Sequence, residues 1–125
     1  SCSWDSKIII WDTTTWKILR EMTHESCQSF IKLNDNLIAS IDSHILKVWE
    51  FNNGQCIQVL KEEYYALGDL KIVIKLNDEI LARTSKGGIH TKIFDYNKGL
   101  LLHTLQHDEG SLFFKINDNQ IGTYS

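Results

Sequence analysis

Histidine, cysteine and carboxylate side chains are the groups in this sequence that could bind a metal or move protons. The five histidines, His24, His44, His90, His103 and His107, show no spacing that would gather ligands. The three cysteines, Cys2, Cys27 and Cys56, are odd in number and lack metal-type spacing. That predicts no disulfide framework and a reducing compartment. The Asp and Glu residues fall mostly in turn-like positions, with no two paired for acid–base work. Gly87-Gly88 reads as a hairpin turn, and there is no nucleophile motif, phosphate-cradling loop or zinc pattern. Neither catalysis nor a cofactor is expected, which leaves binding.

Composition narrows what is bound. The chain has 125 residues, 42% hydrophobic and 23% charged, as an ordinary soluble globular domain does. A net charge of -3 without a Lys or Arg run predicts no nucleic-acid partner. No apolar run approaches the roughly 20 residues that span a bilayer, so no membrane partner is expected. The opening Ser1-Cys2-Ser3-Trp4-Asp5 has neither a basic start nor an apolar segment. Together these predict a cytoplasmic (intracellular) protein. The start on Ser rather than Met suits an excerpt or a processed product.

The elements that position these side chains come from an internal repeat. Phe30-Ile31-Lys32-Leu33-Asn34-Asp35-Asn36 returns as Val73-Ile74-Lys75-Leu76-Asn77-Asp78-Glu79, and again as Phe114-Lys115-Ile116-Asn117-Asp118-Asn119. Asn34, Asn77 and Asn117 are 43 and 40 residues apart. A second marker runs in step: Ile10-Trp11-Asp12, Val48-Trp49-Glu50 and Ile93-Phe94-Asp95. Within each period, short runs rich in Ile, Val, Leu and Phe are broken by Asn, Asp, Ser or Gly, which predicts strands. In the middle repeat the strands are predicted at Gln28 to Leu33, Leu37 to Ile41, Ile45 to Glu50 and Gln55 to Leu60. Asn34-Asp35 and Asn53-Gly54 suit the turns, since Asn and Gly tolerate positive φ. Runs such as Ile8-Ile9-Ile10-Trp11 predict strands covered on both faces.

A four-stranded unit of about 40 residues whose third strand ends in Trp-Asp resembles the WD-repeat family of β-propellers. The first copy, Ser3-Trp4-Asp5-Ser6-Lys7-Ile8-Ile9-Ile10-Trp11-Asp12, matches best: a turn Asp, a branched apolar strand, then Trp-Asp. His24, 13 residues beyond Trp11, matches the family's loop His, and His107 lies the same distance beyond Phe94. Their equivalent positions mark both as structural. The resemblance implies a buried network of that His, a strand hydroxyl, the turn Asp and the Trp. In the middle repeat these are His24, Ser40, Asp42 and Trp49, with Asp42 one place further from its Trp than Asp5 is from Trp11. In the third repeat Glu62 replaces the His, Phe94 the Trp and Lys86-Gly87-Gly88 the turn Asp, so no network is expected there. The implied fold is an all-β propeller segment of three blades' worth. Residues 1–22 give the last two strands of a blade, 28–61 and 70–105 a blade each, and 111–125 the first two strands of another. Such a segment is either part of a longer chain or a head-to-tail homo-oligomer. Left unassembled, its end strands are exposed edges.

The function implied is a rigid, non-catalytic scaffold for protein or peptide partners. Loops expected on one face carry Glu25, Glu62, Glu63, Tyr64, Tyr65, Asp108 and Glu109, and turns there add His44 and Lys86. An acidic, partly aromatic face suits a basic partner, because Tyr is enriched at binding hot spots. Trp16, at a turn position usually held by Gly or a polar residue, is an exposed aromatic candidate on the opposite face. The alternative is a β-trefoil carbohydrate-binding lectin, which also has three four-stranded repeats of about this length. The Trp-Asp pair, Asp5 and the two histidines in register count against it.

Overall fold

Short branched-apolar runs separated by Asn- and Asp-rich turns fold here as strands, and several of the described turns are held by an Asn or Asp side chain of their own. A computed structural model describes residues 7–42, 45–61, 71–85, 90–107 and 112–124. They form β1 (Lys7–Trp11), β2 (Ile18–Thr23), β3 (Ser29–Lys32), β4 (Leu37–Ile41), β5 (Ile45–Glu50) and β6 (Gln55–Lys61). Then follow β7 (Lys71–Lys75), β8 (Ile80–Ser85), β9 (His90–Asp95), β10 (Leu100–Gln106), β11 (Leu112–Asn117) and β12 (Gln120–Tyr124). The protein is all-β, and among the described residues there is no helix long and apolar enough to cross a membrane. The middle-repeat strands lie where the sequence predicts them, within one residue at each end.

All pairing is antiparallel and between consecutive strands. Strands β3-β4-β5-β6 and β7-β8-β9-β10 make two four-stranded sheets, while β1-β2 and β11-β12 are two-stranded. The two large sheets share one register. Leu37 to Ile41 face Glu50 to Leu46 just as Ile80 to Thr84 face Asp95 to Thr91. Each third strand also slips register against the fourth at the same place, beside Trp11, Trp49 and Phe94.

The turns explain why the Lys-x-Asn-Asp markers recur. Asn34 Oδ1 accepts the backbone N–H of Asn36 and Leu37, and Asn77 Oδ1 accepts those of Glu79 and Ile80. An Asn side chain thereby replaces a backbone acceptor and fixes each β3–β4-type hairpin. Lys32, Lys75 and Lys115 reach the following Asp at 3.1, 3.1 and 2.7 Å. These ion pairs are largely exposed and contribute little to stability.

The core lies between sheets. Leu33, Ala39, Ile41, Leu46 and Val48 pack with Leu81, Phe94 and Tyr96 of the next sheet. Ile8 and Met22 of the β1-β2 sheet pack with Ile38 and Trp49. All five residues of β4 are buried, as expected of a strand covered on both faces. Cys27 is disulfide-bonded, whereas the odd cysteine count predicted no such bond. Spacing along the chain says nothing about cysteines that folding brings together; Cys56 is an exposed free thiol.

Candidate functional site: a buried polar network and two exposed surfaces

Four residues from three segments meet beside the β4-β5 pair. His24 lies in the connection between β2 and β3, Ser40 on β4, Asp42 in the β4–β5 turn and Trp49 on β5. Trp49 Nε1–H donates to Ser40 Oγ at 2.8 Å. His24 Nδ1 lies 2.5 Å from Ser40 Oγ, and His24 Nε2 lies 3.1 Å from Asp42 Oδ2. The other carboxylate oxygen of Asp42 accepts the Ile45 N–H at 2.7 Å. This last bond, with the Asp42 N–H donating to the Ile45 carbonyl at 3.1 Å, closes the turn and aims the carboxylate.

With His24 neutral, as its burial favours, one donor order satisfies every member. Trp49 donates to Ser40, Ser40 to His24 Nδ1, and His24 Nε2–H to Asp42. His24 is almost fully buried, and burial pulls its pKa below the ordinary 6.5, opposed by Asp42 and assisted by Lys47. The linear chain has every member satisfied, which is the condition under which a buried polar network rigidifies a structure.

The equivalent place in the second four-stranded sheet is built differently. Arg83, opposite Lys92, takes the register position that Ser40 takes opposite Lys47. It is buried, which pulls its guanidinium down to about 10 against the opposing attraction of Asp42. In the same sheet Phe94 and Tyr96 belong to the apolar core shared with the first four-stranded sheet. Counting back from Phe94 by the Trp49–Ser40 spacing would have picked Ser85 instead. Two more residues separate Thr84 from its partner Thr91 than separate Ile41 from Leu46. His107 lies 3.2 Å from Thr91 Oγ1, a hydroxyl on the sheet before it, whereas His24 reaches one on the sheet after it.

Trp11 is exposed rather than buried in a network. Among the proposed partner-binding residues, Glu25 is exposed in a turn beside Ser26, which has φ 55. Asp5, His44, Glu62, Glu63, Tyr64, Tyr65, Lys86, Asp108 and Glu109 lie outside the described residues.

The opposite surface is described more fully. Trp16, 72% exposed with φ 59, occupies the turn position that Gly54 (φ 72) and Gly99 (φ 69) occupy in the two large sheets. Asp12 holds that turn through its backbone carbonyl, which accepts the Trp16 N–H at 2.7 Å, and through Oδ1, which accepts those of Thr14 and Thr15. Between the sheets, Lys32, Leu33, Asn34, Asp35, Lys75 and Asp78 line an open depression of about 620 Å³. Among the described residues no three His, Cys, Asp or Glu are grouped to hold a metal ion.

No protein-family model matches the chain, and no curated protein matches it either.

Proposed function

We propose that this chain is three blades' worth of a WD-repeat-like β-propeller acting as a non-catalytic scaffold for protein or peptide partners. The observation that carries the reading is the His24–Ser40–Asp42–Trp49 hydrogen-bonded chain. It joins the residue types that the resemblance implies, with Asp42 one place off the spacing of the first copy. The consecutive antiparallel order of both four-stranded sheets supports the same architecture. His24 and Ser40 are both buried, so the network turns neither its imidazole nor its hydroxyl to a substrate and serves to brace the sheet.

A rigid frame of this sort presents its loops for recognition. The acidic and aromatic loop residues Glu25, Glu62, Glu63, Tyr64 and Tyr65 suit a basic peptide, with the tyrosines as anchors. Titrating the chain against arrays of basic peptides, acidic peptides and glycans tests the proposal. Binding is expected for basic peptides, weakened by Glu62→Lys with Glu63→Lys and by Tyr64→Ala with Tyr65→Ala. Selective sugar binding would replace the scaffold with the lectin alternative, and equal binding of basic and acidic peptides would remove the assigned surface.

A further inference from the structure

Among the asparagines of this chain, Asn53 alone is followed by a glycine. That pair is chemically distinct. The carboxamide carbon of an Asn lies within reach of the next backbone nitrogen, and a glycine there brings no Cβ to obstruct the approach. Attack forms a five-membered succinimide and expels ammonia. The Asn53-Gly54 pair sits in the β5–β6 turn, with Asn53 exposed and Gly54 in the left-handed region at φ 72. The Asn53 carboxamide is already held against the backbone that follows it, since Oδ1 accepts the Gln55 N–H at 2.9 Å. A donor on that oxygen stabilises the charge it gains when a nucleophile attacks its carbon. Nδ2 donates to Glu50 Oε2 at 2.8 Å.

The same turn withholds the nucleophile. The Gly54 N–H donates to the Glu50 carbonyl at 2.9 Å, and that proton has to leave before the nitrogen can attack. A neighbouring sheet holds the turn in this form. Arg20 on β2 donates through Nε at 2.8 Å, and through Nη2, to the Asn52 carbonyl, in the peptide that leads into Asn53. A Cβ on Gly54 would lie 3.6 Å from Met22 Cγ and 4.0 Å from Arg20 Cδ, so the turn packs directly against β2. The corresponding turn of the second large sheet has the clasp without the reactive pair. Gln58 Nε2 donates to the Asn97 carbonyl at 3.4 Å, but Lys98 precedes Gly99 there. Asn34, Asn77 and Asn117 also accept a backbone N–H two residues on, yet each is followed by an Asp, whose Cβ crowds the nitrogen.

We propose that Asn53-Gly54 is a self-modification site gated by the Arg20 clasp: when the contact between β2 and the β5–β6 turn opens, the turn deamidates. The Gly54 nitrogen bonds to Asn53 Cγ, the Cγ–Nδ2 bond breaks, and the proton from Gly54 leaves with the amide as ammonia. Water then opens the succinimide at either carbonyl, giving an aspartyl or an isoaspartyl linkage at position 53. Either product puts a carboxylate in the turn beside Glu50, where Nδ2 had donated. The isoaspartyl form also adds a backbone carbon inside a hairpin whose register sets Glu50 opposite Gln55, which moves the Asn52 carbonyl away from Arg20. The site thereby records a loosening of the contact between sheets as a covalent change. This proposal stands whether or not the loops bind a basic partner.

The test follows conversion at Asn53 by peptide mapping with mass spectrometry while the full 125-residue chain is incubated at neutral pH. The parent and Arg20→Ala are compared in buffer, and the parent and Gly54→Ala in denaturant. Arg20 is exposed, so its truncation is expected to keep the β spectrum, which circular dichroism checks. Arg20→Ala should speed conversion about two- to tenfold, the change in opening equilibrium when one hydrogen bond of ordinary strength is lost. Denaturant should speed it further, with Asn53 converting ahead of Asn34, Asn77 and Asn117. In denaturant, where only the added Cβ differs, Gly54→Ala should slow conversion at least about tenfold. One rate for the parent and Arg20→Ala overturns the gate, as does a native chain that converts as fast as the denatured one. Conversion spread evenly over the asparagines, or insensitive to Gly54→Ala in denaturant, overturns the site.

Discussion

Removing the Ser40 hydroxyl should reveal whether the four network residues act as one unit. Ser40→Ala leaves two buried groups unsatisfied at once, the Trp49 indole N–H and His24 Nδ1. Neither has room to turn to water, because Trp49 and His24 are both buried. A tautomer change gives no relief, since moving the proton to Nδ1 would take it from Asp42. Each orphaned group costs about 1–3 kcal/mol, so the substitution should destabilise by about 2–6 kcal/mol. Trp49→Phe removes the donor but leaves the Ser40 to His24 bond intact. In the W49F background, S40A then orphans one group rather than two, and should cost about 1–3 kcal/mol less. The assay is denaturant unfolding of the parent, both single variants and the double variant. It should be followed by far-ultraviolet circular dichroism, since W49F changes the fluorescence. All four must be measured at one protein concentration, because association would add its own stability. Additivity within about 0.5 kcal/mol would refute the coupled network and leave separate contacts.

Acid should act through the same group. Burial holds the folded-state pKa of His24 below its ordinary 6.5, so the unfolded chain binds a proton that the folded chain refuses. The stability this provides is full above pH 6.5 and fades as pH falls towards the folded value. A slope of up to about 1.4 kcal/mol per pH unit is expected there, and His24→Gln should flatten it; an unchanged slope would reassign the acid sensitivity. At the shared turn position, Gly54→Ala meets only ordinary contacts with Met22 and Arg20 and should cost about 1 kcal/mol for the left-handed backbone. Gly99→Ala also places its Cβ 2.5 Å from Gln58 Oε1, so it should cost more than Gly54→Ala in the same melting experiment. Trp16→Gly reverses the penalty and should raise the stability of the single chain by about 1 kcal/mol, measured where no assembly occurs.

The strands were legible because each is a compact apolar run ended by a residue with a physical reason to turn the chain. Asn34 and Asn77 both write the turn into the sequence and make it in the structure, as acceptors of two backbone N–H groups each. His24, Ser40, Asp42 and Trp49 were legible as residue types in order, although Asp42 stands one place off the spacing of Asp5. The turn absorbs that difference, because the Asp42 carboxylate is aimed by its own bond to the Ile45 N–H. Arg83 was not legible. Its place opposite Lys92 depends on hairpin length, and the two extra residues between the paired Thr84 and Thr91, compared with Ile41 and Leu46, displace any count taken along the chain. Nor was the exposure of Trp11 and Leu105, since burial of an apolar residue at a sheet interface depends on whether a neighbouring sheet is there.

The two large sheets share a register yet are braced differently, and this says which feature of the repeat carries the architecture. The first uses a polar chain through Ser40; the second buries Arg83 at that register position. What recurs between sheets is instead the contact from one to the next: an apolar side chain on the outer strand, an aromatic laid with it, and a side-chain donor closing on a turn carbonyl. Stacked repeats take their stability largely from nearest-neighbour interfaces, so a repeat tolerates an altered interior as long as its two outer surfaces still match. Trp49 serves both roles, with its indole N–H in the network and its ring against Ile8 and Met22. Phe94 keeps the ring and gives up the N–H, which is the substitution expected if packing between sheets is the stricter requirement.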